Sequence, residues 1–182
     1  MKPVKRKGAF VPDEFNPSEA DWARLAAFID GEGCIDIHES PYMPSRKKRS
    51  PIYIRIHVSN TDPRLFKWCQ DNFGGTLQLR NKQRQGWRNC YVWFASCRRA
   101  AWILQNCLPY FVLKRDQAEL GLAFVSTQGA HGIKTSPEVL ARRRELQQKL
   151  SDIKWKSHDG SVTRRKSIPK GVSDLPTGES VM

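Results

Sequence analysis

From residue 33 the chain alternates between apolar and polar positions. In CIDIHES, Ile35 and Ile37 fall on one side and Asp36, His38 and Ser40 on the other. In IYIRIHVS, Ile52, Ile54, Ile56 and Val58 oppose Tyr53, Arg55, His57 and Ser59. A period of two marks strands with one apolar and one polar face. TLQLRNK and WRNCYVWF predict a second strand pair joined around Gln85-Gly86, with Leu77 and Leu79 inward and Thr76, Gln78, Arg80 and Lys82 outward. Helical periods separate the pairs. PSEADWARLAAFIDGEG has Ser18 as N-cap, Asp21 three residues on and Gly33 past its end, which predicts a helix to about Gly31. Leu25, Phe28 and Ile29 form its apolar face. Ala23, Ala27 and Gly31 recur every four residues as a small-residue strip that admits a second helix backbone.

TDPRLFKWCQDNFGG reads as a capped helix stopped by Gly74 and Gly75. CRRAAWILQNCLPYF reads as a helix interrupted near Pro109, and LKRDQAELGLAFV as another from about Leu113 to Val125. SPEVLARRRELQQKLSDIKW is a further helix begun by Ser-Pro. The core order is helix, two strands, helix, two strands, helix. It predicts an α+β fold of αββαββα type, a four-stranded antiparallel sheet with helices on one face and the other left polar. Three segments are expected: a basic arm over 1–17, a core over 18–128, and a basic helical extension with a tail over 129–182. The helix at 137–155 either packs on the core, binds a partner, lies along a nucleic-acid backbone or forms a loose basic arm.

Composition sharpens this picture. Of 182 residues, 31 are Lys or Arg against 18 Asp or Glu, a formal charge of +13 that points to a polyanionic partner. A basic ribosomal-type or membrane-surface protein fits that charge almost as well, and a basic structural or RNA-packaging protein would explain the charge and the tail. Five cysteines show no CxxC pair and no metal-ligand spacing with the four histidines, so they read as reduced structural thiols. No apolar run approaches the ~18 residues of a membrane span. MKPVKRKGAFVPDEF lacks the apolar stretch of a signal peptide. A soluble intracellular protein, cytoplasmic or organellar, without a membrane partner, is expected.

A polar sheet face can simply be solvated. This one carries Asp36, His38, Ser40, Tyr53, Arg55, His57, Thr76, Gln78, Arg80, Lys82, Arg88 and Tyr91 as candidate contacts to double-stranded DNA, because such side chains bond to base edges and phosphates. A strand from Thr76 to Lys82 spans roughly 23 Å at ~3.3 Å per residue, which tracks about seven base pairs at ~3.4 Å each. The loop cations Arg46, Lys47, Lys48 and Arg49 are candidate phosphate contacts. Asp30 and Glu32 stand out for another reason. Acids at a helix C-terminus are unfavourable, and locally unfavourable choices gather at functional sites. A carboxylate there is either placed to hold a hard divalent cation or simply an exposed acid near a glycine turn.

LAAFIDGEG resembles, position by position, the LAGLIDADG motif of homing endonucleases, with Ala27 where Gly is usual and Glu32 as the second acid. The order of elements is similar over residues 18 to about 125. The resemblance implies that Glu32 binds the catalytic Mg²⁺, or another divalent ion such as Mn²⁺. It makes Asp30 a helix-end or interface residue beside Ala23, Ala27 and Gly31, where two motif helices meet. VSNT places Asn60 where relatives carry a water-orienting polar residue. LPYFVLKRDQA places Lys114 where a lysine offsets charge near the cleaved phosphate, while Gln117 is expected to pack or cap. A single motif copy implies a homodimer on a near-palindromic DNA site, cut on both strands. The alternative is the same fold binding without cutting, as a DNA regulator or as a maturase on intron RNA.

Overall fold

The computed structural model describes residues 15–40, 52–80, 88–128 and 135–156. The cations at 46–49, Lys82, the turn at 85–86, most of the N-terminal arm and the tail lie outside the described residues. The elements run α1 (Glu19–Glu32), β1 (Gly33–Glu39), β2 (Ile52–Asn60), α2 (Pro63–Phe73), β3 (Thr76–Arg80), β4 (Cys90–Ser96), α3 (Cys97–Cys107), a 3-10 turn (Leu108–Tyr110), α4 (Arg115–Ser126) and α5 (Pro137–Lys156). The strands form one antiparallel sheet in the order β1-β2-β4-β3. The expected α+β arrangement with a four-stranded antiparallel sheet is what the chain adopts.

The expected capping box opens α1: Asp21 N–H donates to Ser18 Oγ, and the Asp21 carboxylate accepts from Ser18 N–H. Helix passes to strand without a linker at Gly33, where a Cβ would sit 2.7 Å from Ile29 Cα. Only glycine fits there, and that close turn puts Glu32 at the root of β1.

Register sorts the sheet's faces. Ile35 opposes Ile56, which in turn opposes Ala95, and Val58 opposes Trp93, which in turn opposes Leu77. These residues face the helices, and Ile35, Ile54, Ile56, Val58 and Trp93 are fully buried. Trp22 joins them, edge-on to Trp102 at 4.8 Å and tilted on Phe73 at 5.0 Å. Each such side chain contributes about 1.5–3 kcal/mol by leaving water. Leu79, expected inward, lies on this face near the sheet edge and is 51% exposed.

Helix α5 packs on α4 and β1. Leu146 and Leu150 enter the core, Gln147 donates to the Ile37 carbonyl, and Arg143 donates to the Thr127 carbonyl and hydroxyl. The structure therefore selects the packed arrangement for the extension helix. Among the described residues no helix is long and apolar enough to cross a membrane.

Candidate functional site

Helix α1 ends in two acids with different surroundings. The Asp30 carboxylate accepts backbone N–H bonds from Val112 (2.8 Å), Leu113 (3.2 Å) and Lys114 (2.9 Å), the stretch leading into α4. The Lys114 ammonium folds back over the helix end and donates to the carbonyls of Ile29, at 2.9 Å, and Asp30. The Ile29 carbonyl also accepts from Gly33 N–H, the terminal carbonyls of a helix run short of donors, and a cation at this end complements the helix dipole. Burial pulls the Lys114 ammonium below the usual lysine range, with Asp30 acting in the opposite direction. Glu32 is exposed and makes no hydrogen bond or ion pair with any described residue. Of the two acids, Glu32 keeps its cost uncompensated.

The exposed side of α1 carries the small-residue strip. Ala27 and Gly31 are exposed, Ala23 is half-buried, and a Cβ added at Gly31 would meet nothing within 4 Å. Beside the strip lies an open groove of about 470 Å³ lined by Arg24, Phe28, Asn60, Asp62, Arg64, Leu65 and Trp68. Asn60 ends β2, and its side-chain carbonyl accepts from Asp62 N–H at 3.0 Å to turn the chain into α2.

The face of the sheet away from the helices holds Cys34, Asp36 and His38 on β1, and Tyr53, Arg55, His57 and Ser59 on β2. Thr76, Gln78 and Arg80 of β3 lie on the same side. The candidates Asp36, His38, Tyr53, Arg55, His57, Thr76, Gln78 and Arg80 thus share one surface. Ser40 just follows β1, and Arg88 is exposed before β4. Tyr91 is a correction. It opposes Asn60 and Leu79, lies on the helix side with Trp93, and packs 6.1 Å from the Phe66 ring. The run YVWF is apolar on both faces, so alternation alone leaves its parity open; the buried Trp93 and Ala95 fix it.

That parity puts Val92 and Phe94 on the polar face, where sequence reasoning expected none of their kind. Val92 is 1% exposed, and Phe94 lies 5.9 Å from the His57 ring with the Arg55 guanidinium 5.8 Å above it. Arg55 also grips Asp36, its cross-strand partner, through two bonds of 2.7 and 3.2 Å. His38 and Tyr53, likewise opposite, meet edge-on at 5.3 Å. His57 is pushed below the ordinary histidine range, chiefly by burial.

The sequence showed no metal-ligand spacing among cysteines and histidines, but register supplies one. Cys34 opposes His57, and the ligand atoms of Cys34, Asp36 and His57 lie within 4.8 Å of one another. Lys154 of α5 donates to Cys34 Sγ at 3.1 Å. In the sequence Cys34 reads only as a structural thiol and Lys154 draws no notice, because nothing local links β1 to a helix 120 positions later. Gln117 is 6% exposed and packs in the core, as expected.

No family model and no curated protein matches the sequence. Solved structures do match the fold. The homing endonuclease I-CvuI, in complex with its target in the presence of Ca, is 22% identical and has a TM-score of 0.63, over 82% of this chain and 87% of that one. The archaeal intron-encoded homing endonuclease I-Vdi141I, complexed with DNA, is 13% identical with a TM-score of 0.59, over 74% and 84%. The homing endonuclease I-TnaI is 13% identical with a TM-score of 0.52, over 74% and 96%. The chain has the homing-endonuclease fold.

Proposed function

We propose that this protein is a site-specific DNA endonuclease that acts as a homodimer and uses a divalent metal. The observation that carries the reading is Glu32, an exposed carboxylate without a partner among the described residues, on a helix end whose other acid and nearby lysine are both bonded within the chain. It adjoins a sheet face presenting Arg55, His57, Gln78 and Arg80, which supports contact with a DNA groove.

The donor set suits a hard cation. Mg²⁺ keeps several waters and takes one or two carboxylates together with substrate phosphates. One Glu32 per chain, paired across a two-fold axis with that of a second copy, matches that demand, and Mn²⁺ accepts the same oxygens. Bound there, the ion would polarise a phosphoryl oxygen and lower the pKa of bound water. Asn60 keeps its amide N–H groups for orienting a water, since only its carbonyl is used in the turn. Lys114 would offset charge developing at the phosphate. The exposed strip of Ala23, Ala27 and Gly31 supports close packing of two copies of α1. A two-fold dimer in turn calls for a near-palindromic site.

One observation favours binding without cutting. Lys114 and Asn60 both already serve the fold, the first on α1 carbonyls and the second on the α2 turn. A DNA regulator or an intron-RNA maturase of this fold would need no more of them. The discriminating experiment incubates the protein and its Glu32→Gln variant with a randomised duplex pool and Mg²⁺, then sequences the ends. Staggered double-strand ends at one near-palindromic site, from the unmodified protein alone, are expected. Intact DNA with one site selectively retained would replace the nuclease with a regulator, and intact DNA without preference would point to RNA.

A further inference from the structure

We propose that Cys34, Asp36 and His57 form a second metal site, for a thiophilic divalent ion of the Zn²⁺ type, chemically distinct from the oxygen site at Glu32. Three features converge there. The residues sit on two paired strands, with Cys34 directly opposite His57 and Asp36 two positions along β1 on the same face. Adjacent strands of a sheet hold such a geometry far more firmly than a loop does. Their ligand atoms lie within 4.8 Å of one another, so small χ rotations bring all three to the ~2.0–2.3 Å at which Zn²⁺ binds N, O and S.

The second feature is an orphan. His57 Nδ1 is buried and has no hydrogen-bond partner, and buried polar atoms are normally satisfied. A metal ion would supply what the protein leaves out. The third is donor chemistry. A thiolate, an imidazole and a carboxylate suit Zn²⁺ or Co²⁺, whereas Mg²⁺ takes oxygen ligands. Three protein ligands leave the fourth position of a tetrahedral ion to water.

Two cations already rest against the cluster, Arg55 on Asp36 and Lys154 on Cys34. Each lies at the end of a long side chain, and the ion would take the place of both. The consequence reaches the rest of the face. With Asp36 held by metal, the Arg55 guanidinium is released to the exposed side of the sheet, so occupancy would change the charge that face presents to a ligand.

The test needs no DNA and so stands apart from the nuclease reading. Chelator-treated full-length protein is titrated with Co²⁺ while the thiolate-to-cobalt charge-transfer band and the visible bands are recorded. One Co²⁺ per chain is expected, displaced by Zn²⁺ and retained against millimolar Mg²⁺. Cys34→Ser should abolish the charge-transfer band, and His57→Ala should weaken binding at least tenfold. Cys90→Ser, on the same face, should leave both unchanged. Because a variant can fail by misfolding, Zn²⁺ should also raise the melting temperature of the unmodified protein and not that of a folded Cys34→Ser. No band at a large excess of Co²⁺, a band that survives Cys34→Ser, or ready displacement by Mg²⁺ would each overturn the site.

Discussion

Asp30→Ala and Glu32→Gln should move stability in opposite directions, although the two acids are two residues apart. Both stand where terminal carbonyls give the helix partial negative charge, and a carboxylate there costs about 0.3–1 kcal/mol. Asp30 offsets that cost with bonds at 2.8, 3.2 and 2.9 Å from three backbone donors. At about 1.5–3 kcal/mol for each bond to a charged group, face value would be roughly 5–9 kcal/mol. The real loss is smaller. Val112 and Leu113 are 83% and 73% exposed, so water can reach their N–H groups once the carboxylate is gone. Lys114 N–H is part-buried and is the donor left stranded. A destabilisation of about 2–3 kcal/mol follows, close to one unsatisfied buried donor plus a fraction of the other two.

Glu32 has no bond to a described residue to lose. Neutralising it removes repulsion with the helix end and should stabilise the protein by about 0.3–1 kcal/mol. The assay is urea unfolding at a single protein concentration, with an unchanged slope confirming that the midpoints report stability. An Asp30→Ala loss under ~0.5 kcal/mol would show the three N–H bonds to be unimportant, and a Glu32→Gln loss over ~1 kcal/mol would show a structural role for Glu32.

Leu150→Ala should cost about 2–5 kcal/mol in the same assay, as for other core leucines; a change near zero would make α5 an appendage despite its buried leucines. Gly31→Ala should stabilise the single chain by up to about 1 kcal/mol through helix propensity, since its Cβ meets open space. Sedimentation should show weaker self-association for the same variant, and unchanged association would remove the strip from the interface. Asp62 caps α2 and pairs with Arg64, bonds that hold its carboxyl at about 2, below its ordinary value of 3.8. Its contribution is therefore complete above 3.8 and fades as pH falls towards about 2. The difference in stability between the protein and Asp62→Ala should shrink across that window, and a constant difference would refute the linkage.

The parts of the fold legible in the sequence are those where one period dominates. Through the middle of β1 and β2 the inward positions, Ile35, Ile37, Ile52, Ile54, Ile56 and Val58, are Ile or Val and the outward ones mostly polar, so the faces followed directly. In β4 the neighbours Val92, Trp93 and Phe94 are all large and apolar, and the period of two dissolves. Tyr91 was misassigned for that reason. The N-terminus of α1 was readable because a capping box is local. What secures its C-terminus was not, because the partners of Asp30 lie 82 to 84 residues away. Neither was Lys154, which reaches Cys34 only because Leu146 and Leu150 anchor α5 in the core.

These long-range bonds also narrow what Glu32 can be. Had both acids been unpaired, the helix end would read as a tolerated local cost. With Asp30 holding the entry to α4 and Lys114 closing the terminal carbonyls, the fold supplies compensation at the one acid that shapes the backbone and withholds it from the other. Lys154 adds its own push to the lowering of the Lys114 ammonium, after burial. It donates to Cys34. Among the described residues neither ammonium bonds to Glu32, and the proposal that its carboxylate takes a cation rests on that. That contrast between the two acids, more than the presence of an acid, is the physical reason for proposing a divalent cation there.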